Sequence, residues 1–160
     1  MYEGEYRYGK PWGKGKYIWR NGSSYEGDFE KGKKHGEGYW VKGQKPNQST
    51  YQGTYVKDKK HGHGKFKWAS GNTYEGQYDI DERHGFGVMR WTDGSTYTGE
   101  WVHGVQHGQG EMAYADGTVK KGVFENNVFI EEITEEEYED GSSIMIDSND
   151  PKFKDKLRDL

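Results

Sequence analysis

Along most of the chain, apolar and polar positions alternate with a period of two. Tyr25, Gly27 and Phe29 share one parity and Glu26, Asp28 and Glu30 the other, which is the alternation of a half-buried β-strand. A second kind of run follows, as in Gly62-His63-Gly64-Lys65-Phe66-Lys67-Trp68, where glycines and rings again share a parity and His63, Lys65 and Lys67 take the opposite one. Stretches such as Lys31-Gly32-Lys33-Lys34 and Asp58-Lys59-Lys60 lie between the two runs. Asn21-Gly22, Ser70-Gly71, Asp93-Gly94 and Asp116-Gly117 separate one pair of runs from the next. The pattern predicts a series of β-hairpins.

The series is periodic. Tyr-x-Gly occurs at Tyr2, Tyr25, Tyr51, Tyr74 and Tyr97, spaced 23, 26, 23 and 23 residues apart, and a degenerate sixth copy starts at Lys120. Gly-x-Gly recurs in phase at Gly13, Gly36, Gly62, Gly85 and Gly108, preceded by Trp12, His35, His61, His84 and His107 respectively. The three extra residues of the second unit fall in Gly43-Gln44-Lys45-Pro46-Asn47-Gln48-Ser49, which predicts a loop that bulges without disturbing the array. A lone hairpin is unstable in water, but hairpins in series bury one another's faces. The expected fold class is therefore all-β: an elongated, single-layered antiparallel sheet solenoid of about 5.5 hairpin repeats over residues 1–130, with units starting near residues 2, 25, 51, 74, 97 and 120.

Composition explains what such a sheet can bury. Only 30% of the 160 residues are hydrophobic, while 25 are glycine and 25 are aromatic (6 Trp, 13 Tyr, 6 Phe). An aliphatic core is excluded, so the buried area must come from flat rings. Glycine normally weakens a strand, and its recurrence on the ring-bearing parity has one physical reason: it leaves room for a ring from the neighbouring strand. A side chain at Gly64 or Gly87 would fill that room.

The same numbers limit function. The length accommodates one domain or a row of small units, without space for a catalytic domain beside them. Absence of cysteine excludes a disulfide framework, a thiolate metal site and a cysteine nucleophile. No stretch has the length of a membrane span, and the residues after Met1 lack the apolar core of a signal peptide, so a soluble cytoplasmic protein is expected. Residues 1–130 carry 19 Lys+Arg against 16 Asp+Glu, a net +3, whereas 131–160 carry 4 against 11, a net −7. Neither part is a polybasic nucleic-acid surface, and the acidic run from Glu131 marks the expected domain boundary. Within the tail, Ser143–Asp147 reads as a short strand. Asp150-Pro151 reads as the cap of a helix whose Phe153, Leu157 and Leu160 would cover the last sheet edge.

Tyr-Glu-Gly-x-aromatic, Gly-Lys-x-His-Gly-x-Gly and Asp/Asn-Gly-x-x-Tyr, as in Tyr25–Phe29, Gly32–Gly38 and Tyr97–Gly110, resemble the MORN (membrane occupation and recognition nexus) repeat. The resemblance runs from Tyr2 to about Phe129. It implies a single-layered sheet used for binding, of the kind found in axonemal, cytoskeletal and membrane-tethering proteins and in non-catalytic regions of some enzymes. Fold does not fix function across that range.

Candidate chemistry is sparse. Histidines one repeat apart would stand about 10 Å from each other along the sheet, too far to share a zinc ion, and no calcium-loop spacing occurs, so no metal is expected. Gly-x-Gly lacks the Lys-Ser/Thr and helix of a phosphate loop, and no nucleophile or paired-carboxylate arrangement stands out. No catalytic residue and no cofactor are expected. Two aromatic ladders remain: Tyr6, Phe29, Tyr55, Tyr78 and Trp101, and Tyr17, Trp40, Phe66, Met89 and Met112. Both could be core; alternatively, a single-layered sheet leaves one side uncovered, and the first ladder would line a groove for a peptide or helix. Lys31, Lys33, Lys34, Lys57, Lys59, Lys60 and Arg83 gather at one set of turns and could meet anionic lipid or simply stay solvated. The expected function is a scaffold or adaptor binding a protein partner, in a cytoskeletal or ciliary assembly by resemblance. A membrane-contact module and the regulatory fragment of a larger enzyme are the alternatives.

Overall fold

The computed structural model describes residues 1–132. It places twelve strands among them: β1 (Tyr2–Arg7), β2 (Lys10–Ile18), β3 (Ser24–Glu30), β4 (Lys33–Lys42), β5 (Ser49–Val56), β6 (Lys59–Lys67), β7 (Thr73–Asp79), β8 (Glu82–Arg90), β9 (Thr96–Val102), β10 (Val105–Ala113), β11 (Val119–Glu125) and β12 (Val128–Glu132). They form one open antiparallel sheet in the order of the chain. Each repeat is one hairpin, as the period of two predicts. The sixth unit also completes its hairpin, although β12 has only 5 residues. The insertion after Lys42 loops out and leaves the register of β4 with β5 unbroken from Gly36↔Tyr55 to Lys42↔Ser49. The tail strand and capping helix expected beyond residue 132 lie outside the described residues.

A file of glycines crosses the sheet and sets its register. Gly4 faces Gly15, Gly15 faces Gly27, and the pairing continues through Gly38, Gly53, Gly64, Gly76, Gly87, Gly99 and Gly110 to Gly122. The tyrosine that opens each unit lies over this file. A Cβ added to Gly15, Gly38, Gly64, Gly87 or Gly110 would fall inside the ring of Tyr2, Tyr25, Tyr51, Tyr74 or Tyr97 respectively. The phenol then reaches a backbone carbonyl three residues on: Tyr25 donates to Asp28 at 2.8 Å, Tyr51 to Thr54 at 3.0 Å, Tyr74 to Gln77 at 2.8 Å and Tyr97 to Glu100 at 2.8 Å. A buried ring with its one polar atom satisfied carries no desolvation debt.

The first ladder fits between these tyrosines. Tyr55 meets Tyr25 and Tyr51 edge-on, with centroids 5.4 and 5.1 Å away. Tyr78 meets Tyr51 and Tyr74, Trp101 meets Tyr74 and Tyr97, and Phe29 meets Tyr2 and Tyr25. The rings form a continuous zigzag along the sheet, each edge-to-face contact contributing roughly 0.5–1.5 kcal/mol beyond area burial. Met89 and Met112 of the second ladder are buried beside it, and Tyr17, Trp40 and Phe66 are half-buried.

The two glycines of each Gly-x-Gly have separate tasks. The second is the seat beneath the tyrosine. The first, as at Gly62 (φ 80°) and Gly85 (φ 90°), adopts the left-handed backbone that lets the strand bulge where the hairpin register shifts.

Gly64→Val is therefore expected to lower stability by about 3 kcal/mol or more, through expulsion of the Tyr51 ring. In a double-mutant cycle with Tyr51→Ala, measured by denaturant unfolding, the two losses should be strongly sub-additive. Simple additivity would refute the seat.

Candidate functional site

Side chains on the ring-bearing face build a cleft over units three and four. Its floor is Phe66, Tyr78 and Met89. Trp68, Ser70, Asn72 and Trp91 form one wall, and Lys60, Asp81, Glu82, Arg83, His103 and Gly104 the other. It has a volume of about 520 Å³ and is open to solvent. Each wall has a structural cause. Trp68 and Trp91 end the runs of β6 and β8 on the ring-bearing parity, and their amides close the inter-unit turns by donating to Asn72 and Ser95 carbonyls, both at 2.9 Å. Trp68 stacks against Phe66 at 4.7 Å. The opposite wall is the row of hairpin turns, which are tied together: the Asp81 amide donates to the Lys60 carbonyl and the Gly104 amide to the Arg83 carbonyl, both at 2.9 Å. The Asp81 carboxylate accepts from the Lys60 amide at 2.9 Å.

Cations roof the ring zigzag. Lys34 lies 4.9 Å from the Tyr55 centroid, Lys60 5.7 Å from Tyr78, and Arg83 4.8 Å from Trp101. Arg83 also donates through Nη2 to the Gly104 carbonyl at 2.8 Å. Burial holds the Lys34 and Lys60 ammonium groups below the usual lysine value and lowers Arg83 as well. The ring faces beneath return part of that penalty as cation–π attraction. The same burial pushes the phenols of Tyr25, Tyr51, Tyr55, Tyr74 and Tyr78 well above the ordinary tyrosine range.

This geometry corrects the expected groove. Phe29, Tyr55, Tyr78 and Trp101 are buried, Trp101 to 1% exposure, because two tyrosines enclose each ring and a cation stands over the last three. Tyr6 is 60% exposed, with Tyr2 its one ring neighbour among the described residues. Only Tyr78 of that ladder lines the cleft. The expected basic edge is corrected too: Lys34, Lys60 and Arg83 turn onto the rings, leaving Lys31, Lys33, Lys57 and Lys59 exposed. Among the described residues no group of His, Asp and Glu could hold a metal ion. His35 and His84 instead accept through Nδ1 from the amides of Lys57 and His103 at 3.2 and 3.4 Å, bridging adjacent turns. No helix among the described residues is long and apolar enough to cross a membrane.

Two features escaped sequence reasoning. The first is the row Trp19, Trp68, Trp91 and Tyr114, half-buried apart from the more exposed Trp19; the 23-residue spacing of its last three members was a usable signal. The second is a staple at the bulges of the first five units. Glu5, Asp28, Gln77 and Glu100 reach across the hairpin to accept from the amides of Lys14, Glu37, Phe86 and Gln109 at 2.6 to 3.0 Å. Thr54 in the third unit donates to the His61 carbonyl instead. Burial alone would raise the Asp28 carboxyl, but the Lys14 ammonium and the Glu37 amide hold it below the usual value.

Comparison with known families supports the assignment made from the motifs. The MORN repeat model matches five consecutive segments, residues 2–24, 25–43, 51–73, 74–96 and 97–119. The chain belongs to the MORN repeat family, a non-enzymatic repeat module of the scaffold, protein-binding or lipid-binding kind. A search of curated proteins gives no match.

The raised phenol values have a sign. In the unfolded chain tyrosine ionises near pH 10, whereas the folded sheet keeps these phenols neutral to higher pH. Their contribution to stability is full below about pH 10 and is lost as pH climbs above it. In an alkaline titration followed by phenolate absorbance, Tyr25, Tyr51, Tyr55, Tyr74 and Tyr78 should ionise only together with loss of the β-sheet circular dichroism signal.

Proposed function

We propose that the chain is a non-catalytic scaffold that seats a segment of a protein partner in the ring-side cleft. One observation carries the reading: in a single open cleft, two half-buried tryptophans flank an apolar floor, Arg83 stands 5.8 Å from the Trp68 ring centroid, and Lys60 lines the same cleft. Trp and Arg are favoured anchors at interfaces, since large rigid faces gain area at little entropic cost. The occupant this chemistry selects is a helix or extended segment with apolar side chains for Phe66 and Met89 and a carboxylate for the cations. Within this proposal Tyr78 contacts the partner. Phe29, Tyr55 and Trp101 act from beneath by holding the floor, and Tyr6 lies away from the cleft. A cytoplasmic setting in a cytoskeletal or ciliary assembly rests on resemblance to repeat proteins of that kind.

Trp68→Ser with Trp91→Ser tests the reading, because both rings are partly exposed and their loss spares the zigzag. In affinity capture, the double variant is expected to retain its fold by circular dichroism while losing partner binding by about tenfold or more. Retention of the same partners at equal yield would overturn it. Vesicles containing anionic lipid should not co-float with the wild type at low salt; co-flotation would transfer the function to the exposed lysines at the turns.

A further inference from the structure

Three of the five joints between repeats, β2–β3, β6–β7 and β10–β11, pair opposite charges on the face opposite the rings, whereas β8–β9 sets Phe86 against Glu100 and Val88 against Thr98. Lys14 and Lys16 of β2 stand across from Asp28 and Glu26 of β3, with Lys14 Nζ 2.5 Å from the Asp28 carboxylate. Lys65 of β6 faces Glu75 of β7, and Glu111 of β10 faces Lys121 of β11. Where β5 presents Gln52 and Thr54, β4 offers Tyr39 and Glu37, so no pair of like charges forms. Each joint centres on a glycine pair, and directly opposite charges in a sheet add to such a pairing, whereas like charges oppose it.

β1 presents one half of such a joint with nothing on its outer side among the described residues. Its sequence, Tyr2-Glu3-Gly4-Glu5-Tyr6, nearly repeats the Tyr25-Glu26-Gly27-Asp28-Phe29 of β3. Phe29 is closed in by Tyr2 and Tyr25, but Tyr6 has Tyr2 as its one ring neighbour among the described residues, at 4.9 Å, and stays 60% exposed. A backbone edge with no strand paired to it among the described residues, an exposed ring and two carboxylates flanking a glycine therefore coincide on one strand.

We propose that the outer edge of β1 is a second docking site, which takes a β-hairpin from a partner protein. The incoming edge strand has the sequence pattern basic–glycine–basic–aromatic, and the hairpin's other strand supplies a tyrosine against Tyr6. The register is that of β2 on β3: the incoming glycine faces Gly4, its basic neighbours face Glu5 and Glu3, and its aromatic residue faces Tyr2. A second copy of this chain does not suit the site. Pairing β1 with another β1 about Gly4 sets Glu3 against Glu5 twice, and β12 brings Glu132 rather than a cation. The site lies at the edge of the sheet and does not depend on the occupant of the cleft.

The chain's own first hairpin supplies the probe, a synthetic peptide of residues 2–20, added to the intact protein and followed by NMR and by melting temperature. Expected are slowed exchange of the β1 amides, a shift of the Tyr6 ring resonances and a raised melting temperature. Peptides carrying Lys14→Glu with Lys16→Glu, or Gly15→Val, should bind about tenfold more weakly or worse. Glu3→Lys in the protein should in turn recover binding of the Lys16→Glu peptide. Increasing salt should weaken the wild-type pair. Absence of binding by the wild-type peptide, equal binding by the charge-reversed peptide, or chemical-shift changes confined to the cleft would each overturn the proposal. So would self-association of the protein through β1 without any peptide.

Discussion

The structure depends on one contact repeated five times: a tyrosine ring lying flat on a glycine of the next strand. It solves two problems at once. The chain lacks the aliphatic residues for an ordinary core, and a single sheet has no second layer to bury against. Laying rings over the sheet lets each hairpin bury its own tyrosine and offer it to the ring of the next unit, and the phenol ends on a carbonyl instead of in water. Everything else is arranged around that contact. Phe29, Tyr55, Tyr78 and Trp101 fill the spaces between successive tyrosines, and the bulge staples and turn bridges keep each hairpin in the register that the glycine file requires.

A core of this kind places function at its margins. With the rings consumed by the sheet, the parts that remain available are the row of tryptophans at the inter-unit turns, the cations over the rings, and the outer edge strand. Variation between units is concentrated at these places. The position that roofs the zigzag is Pro11, Lys34, Lys60, Arg83, Gln106 and Phe129 in successive units, while the glycines and tyrosines beneath hardly change until the sixth. A scaffold in which the supporting residues are constant and the covering residues vary can present a different chemistry at each repeat without altering its backbone.

Most of the fold was legible in the sequence, because period, turns and glycine phase all act locally. The hairpin units, the harmless insertion after Lys42 and the role of Gly64 and Gly87 follow from spacing alone. Site residues were less legible for a physical reason. Parity tells which face Tyr55 or Trp101 takes, but not that a neighbouring tyrosine and a cation will enclose it there. Lys34, Lys60 and Arg83 carried the missing clue, since each stands two residues before the first glycine of its Gly-x-Gly and so shares the parity of the rings. Reading them as part of a solvated turn edge ignored that parity. The acidic positions opposite, Asp28 and Glu100 among them, passed for surface charge although their carboxylates hold backbone amides.

The most direct measurement is the NMR chemical shift of the glycine α-protons. If rings cover the file, the α-protons of Gly15, Gly38, Gly64, Gly87 and Gly110 should move far upfield through the ring current, while those of Gly62 and Gly85, which lie under no tyrosine, should not. Ordinary strand values at the five covered positions would contradict the account at its base.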